Sequence, residues 1–327
     1  MNEFGFINKI RLKTFPHINH LLRSGIGDDC AVIAEGKKYQ LVTTDAVYEN
    51  THFTRHYTPP FELGAKAAAV NISDICAMGG RPLYAFVTVG APKNEEQKYV
   101  EKIYAGLFAW FNAFGVDIAG GDTIKADKLF LSVTLLGEVE KNRIMLRKTA
   151  KAGDVIFVTG KLGASHAGLK TLMGKNKKRL SKDENSVVKK HLMPVPKFIE
   201  GRLLGESGLV SACIDISDGL MSDLLHICEE SKCGAKIWEA HVPIADEARY
   251  VAQKKKEKAL DYALYGGEDY ELLFTVSPLK AAKFYDFAAG NGLSCKAIGK
   301  LTANRGVFRV NASGEKEERF KKTWKHF

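Results

Sequence analysis

The sequence lacks the features of several protein classes. Its 327 residues contain six cysteines, no C-x-x-C pair and no histidine cluster at the spacing of a zinc site. A short disulfide-stapled scaffold is therefore excluded, and a reducing compartment is the simplest interpretation. The longest apolar stretch without a charged residue, 103–116, is shorter than the roughly 20 residues that span a bilayer. The first residues include Glu3 and no apolar core of a secretory signal, so we expect a cytoplasmic protein that crosses no membrane.

Two familiar phosphate-binding patterns are also missing. The sequence has neither a Walker A loop, G-x-x-x-x-G-K-[ST], nor the H-R-D and D-F-G signatures of protein kinases. A phosphoryl-transfer enzyme with this sequence therefore needs another architecture.

What is present is an ordinary globular composition, with 45% hydrophobic and 26% charged residues. The length is enough for two domains. The net charge of +10 motivates a nucleic-acid-binding alternative. Much of that excess lies in short runs around Lys177, Lys255 and Lys321, and such runs are most often solvated surface.

Hydrophobic periodicity predicts alternating strands and helices in both halves of the chain. The expected elements are a strand at 41–44, a helix at 62–78, a strand at 83–90, a helix at 95–114, strands at 129–136 and 155–159, a helix at 164–173, a charged loop at 174–185, a strand at 212–216, a helix at 220–231, and strands at 270–276 and 295–299. A polar, glycine-containing stretch at 147–154 marks the expected boundary between one domain of residues 1–148 and another of residues 149–327.

Six short segments place an acid beside glycine, serine or threonine at a predicted strand end or helix start. They are Gly27-Asp28-Asp29, Thr43-Thr44-Asp45, Asn71-Ile72-Ser73-Asp74, Gly120-Gly121-Asp122, Asp215-Ile216-Ser217-Asp218-Gly219 and Gly266-Gly267-Glu268-Asp269. Any one of them is typical of a helix N-cap or a turn. Six in one chain indicate a shared site.

Converging carboxylates repel one another unless cations lie between them. Mg²⁺ prefers carboxylate, hydroxyl and water oxygens, and proteins commonly hold it with few carboxylates plus the phosphates of a substrate. Glycine beside the acids lets backbone N–H groups approach phosphate oxygens. The alternation of Asp215 and Ser217 predicts that both face one side of a strand, with Asp218 and Gly219 opening the next helix. The pattern therefore predicts magnesium and phosphate chemistry, not zinc.

These segments resemble those of thiamine-monophosphate kinases, a family in the superfamily of aminoimidazole ribonucleotide synthetase and selenophosphate synthetase. The matching stretches run in family order from about residue 24 to the C-terminus, and they include Lys66-Ala67. The branch is indicated by Asn50-Thr51-His52-Phe53, by the string Gly-Gly-Glu-Asp-Tyr-Glu-Leu at 266–272 and by Trp324. A selenophosphate synthetase would instead carry a reactive cysteine or selenocysteine in a glycine-rich N-terminal segment, which this sequence lacks.

The resemblance implies a fold and a reaction. The fold is α/β and α+β: an N-terminal α/β domain for metal, ATP and dimerisation, and a C-terminal α+β domain that completes the site in the cleft between them. Two N-terminal sheets would pair into the barrel of a homodimer. The reaction is ATP-dependent phosphorylation of thiamine monophosphate to thiamine diphosphate, the last step of thiamine diphosphate biosynthesis, with several Mg²⁺ ions.

The resemblance also implies residue roles. The metal ligands would be Asp29, Thr43, Thr44, Asp45, Asp74, Asp122, Asp215 and Asp218. The residues that meet ATP would be Tyr104, Gly121, Asp122, Arg147 and Ser217, and those that meet thiamine monophosphate would be His52, Glu268 and Trp324. Catalysis would depend on Asp45, Asp122, Asp215 and Arg147. The alternatives are a turn residue for Glu268, a surface histidine for His52 and a packing anchor for Trp324.

A phosphate monoester has its second pKa near 6, so the attacking oxygen is largely ionised at neutral pH and requires no general base. We therefore expect direct in-line transfer of the γ-phosphoryl group without a phosphoenzyme. Three alternatives stay open: a sister ATP-dependent kinase or synthetase for another small phosphorylated or amide substrate, a Mg²⁺-dependent phosphohydrolase, and the nucleic-acid-binding module. The last leaves the six acidic segments unexplained, so we expect no nucleic-acid partner.

Overall fold

The computed structural model describes residues 3–14, 19–174, 180–311 and 313–317. Within these residues, no helix combines the length and the apolarity needed to cross a bilayer. The strands form two sheets, one from each half of the chain.

The first sheet has six strands. They are β1 (Leu22–Ser24), β2 (Ala31–Glu35), β3 (Lys38–Tyr48), β4 (Arg81–Ala91), β5 (Asp117–Lys125) and β6 (Phe130–Glu140). Their order is β1-β2-β3-β6-β4-β5, and every neighbouring pair is antiparallel except β4 and β5, which run parallel. Strand β5 therefore forms one edge of the sheet.

Two helices, α2 (Pro60–Ala77) and α3 (Gln97–Ala113), share a hydrophobic core with this sheet, and α1 (Glu3–Thr14) precedes it. The close approach of α2 and α3 requires a glycine on each of the two helices. A Cβ atom on Gly64 would lie 1.9 Å from the Ile103 carbonyl oxygen, and one on Gly106 would lie 1.9 Å from the Phe61 carbonyl oxygen. Almost every residue of α2 from 63 to 77 is buried, including the polar residues Lys66, Asn71 and Ser73.

In the described part of the second half, the sheet has seven strands and is accompanied by seven helices. The strands are β7 (Val155–Thr159), β8 (Val210–Asp215), β9 (Gly234–Trp238), β10 (Leu272–Val276), β11 (Cys295–Thr302), β12 (Gly306–Val310) and β13 (Lys316–Glu317), in the order β13-β12-β9-β11-β7-β10-β8. The helices are α4 (Ala164–Leu172), α5 (Lys182–Leu192), α6 (Phe198–Ser207), α7 (Leu220–Glu230), α8 (Asp246–Lys255), α9 (Ala259–Tyr265) and α10 (Ala281–Gly290).

Both faces of the second sheet are covered. Ile156 and Val158 pack into one core with Leu224 of α7, whereas Phe157 packs into another core with Phe284 of α10. Double-sided burial explains why β7 and β10 are continuous apolar runs rather than alternating ones.

The end of α2 joins the two halves. Ala77 belongs to the same core as Phe157. On the facing helix α6, a Cβ atom at Gly201 would lie 2.3 Å from the Cys76 carbonyl oxygen. Helix α2 also contacts β8, so the last turns of α2 lie beside the end of a strand from the second sheet.

The structure contains every helix and strand that periodicity predicts, with ends shifted by a few residues, but it corrects the charged loop at 174–185. Helix α5 begins within that segment, at Lys182. The Ser181 hydroxyl accepts the Glu184 N–H, and the Glu184 carboxylate accepts the Ser181 N–H, which together form a capping box. The strand expected from residue 270 begins at Leu272, because Tyr270 has a φ of 50° that a strand excludes.

The placement of three acidic segments at strand ends or helix starts is also wrong. Thr43-Thr44-Asp45 lies inside β3, which continues to Tyr48 because it pairs with β6 along its whole length. Gly120-Gly121-Asp122 lies inside β5, and Asn71-Ile72-Ser73-Asp74 lies near the end of α2. Asp218 and Gly219 do open a helix, α7.

Candidate active site

Three carboxylates meet where the two halves join. Asp29 lies in the turn before β2, Asp74 in the last turns of α2 and Asp215 at the end of β8. One oxygen atom from each lies within 4.8 Å of the others. The cluster therefore exists only because the end of α2 reaches β8.

Hydroxyl groups from neighbouring residues hold two of these carboxylates. The Thr43 hydroxyl of β3 donates to Asp74 Oδ2 at 2.5 Å, and the Ser73 hydroxyl donates to Asp215 Oδ2 at 2.5 Å. Thr43 and Asp74 were both predicted as metal ligands, and Ser73 adds a buried positioning contact. The hydroxyls orient the carboxylate oxygens toward one another despite their mutual repulsion.

The electrostatics of the cluster favour a bound cation. Burial, followed by repulsion from the nearby Asp29 carboxylate, raises the pKa of Asp215 to about 7. Burial also raises the pKa of Asp74, with additional repulsion from Asp45 and Asp215. The donor set is composed of carboxylate and hydroxyl oxygens, which fits a hard divalent cation such as Mg²⁺.

Arg147 supplies positive charge at one side of the cluster. Its Nη2 atom lies 2.5 Å from Asp29 Oδ1, and its backbone N–H donates to the Asp28 carboxylate at 3.3 Å. Burial by itself lowers the pKa of Arg147, but Asp29 and Asp28 outweigh that effect and raise it. Through this contact, the Asp28 carboxylate holds the Arg147 backbone beside the turn that carries Asp29. Burial, followed by repulsion from Asp29, raises the pKa of Asp28 to about 7.

Asp218 belongs to a second group of possible metal ligands, with Asp223 and His226. The Asp218 N–H donates to Asp223 Oδ2 at 3.2 Å. Burial raises the pKa of Asp223, and burial together with Arg147 lowers the pKa of His226 to about 4. The i,i+3 spacing of Asp223 and His226 on the predicted helix was the available sequence signal for this pair.

A separate cleft of about 450 Å³ follows β5 and contains three of the predicted nucleotide-contacting residues, Tyr104, Gly121 and Asp122. Glycine is required at 121, because a Cβ atom there would lie 1.9 Å from the Val87 carbonyl oxygen.

The cleft lies away from the carboxylate cluster within one chain. Asp122 is in register with Thr88, Ser132 and Ala46 on successive strands. Three inter-strand spacings place Asp122 about 14 Å from Ala46, the neighbour of Asp45. Asp45 itself is close enough to the cluster to raise the pKa values of Asp74 and Asp215, and it is exposed, as is Thr44. A single chain therefore does not bring Asp122 to Asp45.

Two of the three predicted acceptor-binding residues are near each other. Glu268 Oε1 lies 2.7 Å from Lys66 Nζ, and Glu268 Oε2 lies 3.2 Å from His191 Nδ1. Burial raises the pKa of Glu268, but Lys66, His191 and His52 outweigh it, so that the pKa is lowered overall. His52 Nδ1 accepts the Tyr48 N–H at 3.0 Å. Trp324, the third residue, lies outside the described residues.

Sequence reasoning assigned no role to Lys66 or His191. Lys66 offers a signal, since it is the single lysine of an alanine-rich helix. His191 offers none, because only the tertiary fold brings α5 to the 266–272 segment.

Comparison with known proteins places this geometry in a family. The sequence model of AIR synthase related protein, N-terminal domain, matches residues 27–139, and that of its C-terminal domain matches residues 151–311. Thiamine-monophosphate kinase from Aquifex aeolicus (strain VF5) is 35% identical, with 100% of this chain and 98% of that protein covered. Thiamine-monophosphate kinase from Escherichia coli (strain K12) is 39% identical, with coverages of 86% and 84%.

The chain belongs to the thiamine-monophosphate kinase family. A solved structure of AaThiL complexed with AMPPCP and TMP has a TM-score of 0.87 and 33% identity to it, and the match covers 100% of this chain and 97% of that one. The two-domain α/β and α+β fold implied by the resemblance is thereby confirmed.

Proposed function

We propose that this protein transfers the γ-phosphoryl group of ATP to thiamine monophosphate, with formation of thiamine diphosphate and ADP. The observation that carries the proposal is the buried cluster of Asp29, Asp74 and Asp215 where the two halves of the chain meet. Family membership and the nucleotide analogue and TMP held by AaThiL support this reaction. It would complete thiamine diphosphate biosynthesis.

Mg²⁺, when bound, would offset the negative charge of both substrates. Asp29, Asp74 and Asp215 would hold it, with Thr43 and Asp45 beside them. The remaining proposed Mg²⁺ ligands are Thr44, Asp122 and Asp218. The predicted nucleotide contacts are Tyr104, Gly121, Asp122, Arg147 and Ser217, and the predicted acceptor contacts are His52, Glu268 and Trp324.

The protein has to position two polyanions rather than remove a proton. The acceptor phosphate is largely ionised at neutral pH, so no side chain is required as a general base. Arg147 is fixed by Asp29 and faces the same cluster, which suits charge compensation during an in-line transfer.

We also propose a homodimer built on the first sheet. Strand β5 is an edge strand and is exposed along nearly its whole length. Tyr84, Phe86 and Ile124 on β4 and β5 are 48%, 42% and 43% exposed, which leaves an apolar surface for a second copy to cover. Pairing there would bring Asp122 of each chain toward the carboxylate cluster of the other.

We also propose a division into two domains and a reducing, cytoplasmic setting. The sheets use residues 22–140 and 155–317, which supports a division into domains of residues 1–148 and 149–327. All six cysteines are free, which supports a reducing, cytoplasmic setting.

The test is formation of ADP and thiamine diphosphate from purified protein, ATP and Mg²⁺, with thiamine monophosphate, thiamine or no acceptor. We expect thiamine diphosphate only with the monophosphate. ADP release without an acceptor would favour the phosphohydrolase. If none of the three conditions gives turnover, the assignment of thiamine monophosphate as the substrate fails, whereas the fold and the carboxylate cluster stand.

A further inference from the structure

The backbone at Glu268 is held in an unfavourable conformation. Glu268 and Tyr270 have φ values of 65° and 50°, a left-handed region that is unfavourable for a non-glycine residue. The Glu268 N–H donates to the Ser217 carbonyl oxygen at 2.7 Å, and the Tyr270 N–H donates to the Ile216 carbonyl oxygen at 2.9 Å. Such strain persists only where surrounding contacts fix it, and it concentrates at ligand sites.

The side chain of Glu268 is fixed as firmly as its backbone. One carboxylate oxygen meets Lys66 of α2 and the other meets His191 of α5. The side chains of Lys66 and His191 are only 3% and 5% exposed, whereas that of Glu268 is 29% exposed. Two buried groups therefore support one carboxylate that solvent or a ligand reaches.

The chemistry of the contact favours one histidine tautomer. An ionised carboxylate only accepts hydrogen bonds, so His191 Nδ1 must carry a proton to bind Glu268. Burial lowers the pKa of His191 to about 4, which makes the ring neutral at physiological pH. The Ser165 hydroxyl lies 3.0 Å from the same nitrogen, within hydrogen-bond distance.

We propose that Lys66 and His191 are positioning residues for thiamine monophosphate, because they orient Glu268 to bind the cationic, N–H-donating rings of the acceptor. The inference rests on the proposed function. It adds Lys66 and His191, which act through Glu268 and do not themselves contact the acceptor. A carboxylate offers about four acceptor positions, and Lys66 and His191 use two of them, so the exposed side of Glu268 keeps acceptors for a ligand.

The experiment compares KM for thiamine monophosphate with KM for ATP. Lys66→Met and His191→Leu should each raise the acceptor KM about tenfold, because each removes one hydrogen bond to a charged group. The KM for ATP should change less than about twofold. His191→Asn should restore most of the acceptor KM, since the Asn amide nitrogen is able to donate from nearly the position of Nδ1.

A neighbouring, partly buried ion pair provides the matched control. Lys197 Nζ lies 3.0 Å from Glu271 Oε1, and Glu271 belongs to the same 266–272 segment as Glu268. Lys197→Met should lower the melting temperature as Lys66→Met does, without raising the acceptor KM.

Equal acceptor KM values in Lys66→Met, His191→Leu and the unaltered protein would overturn the inference, as would an equal rise in Lys197→Met. If Lys66→Met does not fold, the contrast between His191→Leu and His191→Asn decides alone. Failure of the proposed function is a separate outcome, because the unaltered protein would then show no turnover that depends on thiamine monophosphate.

Discussion

Asp215 combines three conditions that each oppose ionisation: burial, the nearby Asp29 carboxylate and the nearby Asp45 carboxylate. A hydrogen bond from Ser73 and the charge of Arg147 offset only part of this cost. A protein that needed only a stable fold would gain from an apolar residue here. The retained carboxylate is therefore best explained by a ligand that bears positive charge.

We expect Asp45→Asn and Asp215→Asn each to lower turnover at least about a hundredfold, because both remove negative charge from the proposed metal site. The fold should survive, since the substitution at Asp215 also removes repulsion. Steady-state turnover and circular dichroism test this. Asp246→Asn is the control, because Asp246 is an exposed partner of Lys161 on the surface and should leave turnover unchanged. Full activity in both site variants would remove these residues from catalysis.

The lowered pKa of His191 predicts that the stability of the fold depends on pH. Burial lowers its folded-state pKa from 6.5 to about 4, so the folded protein binds this proton less readily than the unfolded chain. This difference contributes at most about 3 kcal/mol to the free energy of unfolding. The contribution is present above pH 6.5 and is lost as the pH falls toward 4.

The check is thermal unfolding of the unaltered protein and of His191→Asn at intervals from pH 7 to pH 4. The difference in melting temperature between the two should shift in favour of the variant as the pH falls, because Asn has no proton to gain. A constant difference across that range would show that His191 does not titrate in this window.

At the scale of elements, periodicity was sufficient for the long helices and the buried strands. The 95–114 pattern predicted α3 almost to the residue, because steps of three and four mark one apolar face. The start of α5 was missed although Ser181 and Glu184 have capping-box spacing, since the lysine-rich surroundings favoured a loop. Strand β5 was missed because Gly120 and Gly121 lower strand propensity.

The arrangement of the site was harder to predict, because it depends on tertiary packing. Asp29, Asp74 and Asp215 were recognisable as chemistry-bearing residues, but their meeting point depends on how α2 crosses β8. His191 has no sequence pattern that distinguishes a ligand-positioning residue from a packed polar residue. Sequence motifs therefore predicted the chemical groups, and tertiary packing determined which of them act together.

The contact between α2 and α3 should be sensitive to one added methyl group. Gly64→Ala would place a Cβ atom 1.9 Å from the Ile103 carbonyl oxygen, so one helix must move. We expect a loss of about 1–3 kcal/mol in the free energy of unfolding, measured by urea denaturation. Gly290→Ala at the end of α10 is the matched control, because its Cβ atom meets nothing within 4 Å, and stability should be unchanged or slightly higher. Equal stability of the two variants would contradict the close packing of α2 and α3.

At the scale of the whole molecule, α2 is the element that links the two halves. It carries Lys66 toward Glu268 and Asp74 toward Asp215, and both partners belong to the second half of the chain. One helix thus places the support for the proposed acceptor-binding carboxylate and a proposed metal ligand on a single rigid body. A shift of this helix would change both parts of the site together.

The proposed dimer makes a prediction that a single chain does not. Asp122 lies three strands from Ala46 in its own chain, so we expect it to act at the cluster of the partner subunit. Asp122→Asn and Asp215→Asn homodimers should each be nearly inactive. In a mixed dimer, one site would combine an intact Asp215 with an intact Asp122 from the other chain, and the second site would lack both.

Mixing the two variants under conditions that exchange subunits should therefore restore activity, to about one quarter of the unaltered level when pairing is random. Light scattering would confirm that the mixture is dimeric, and an Asp215→Asn sample exchanged with itself is the control. No recovery in a mixture shown to contain mixed dimers would mean that Asp122 serves only its own chain. Recovery in the self-exchanged control would instead trace the activity to refolding. A quarter-level recovery confined to the mixture is what an active site shared across the first sheets requires.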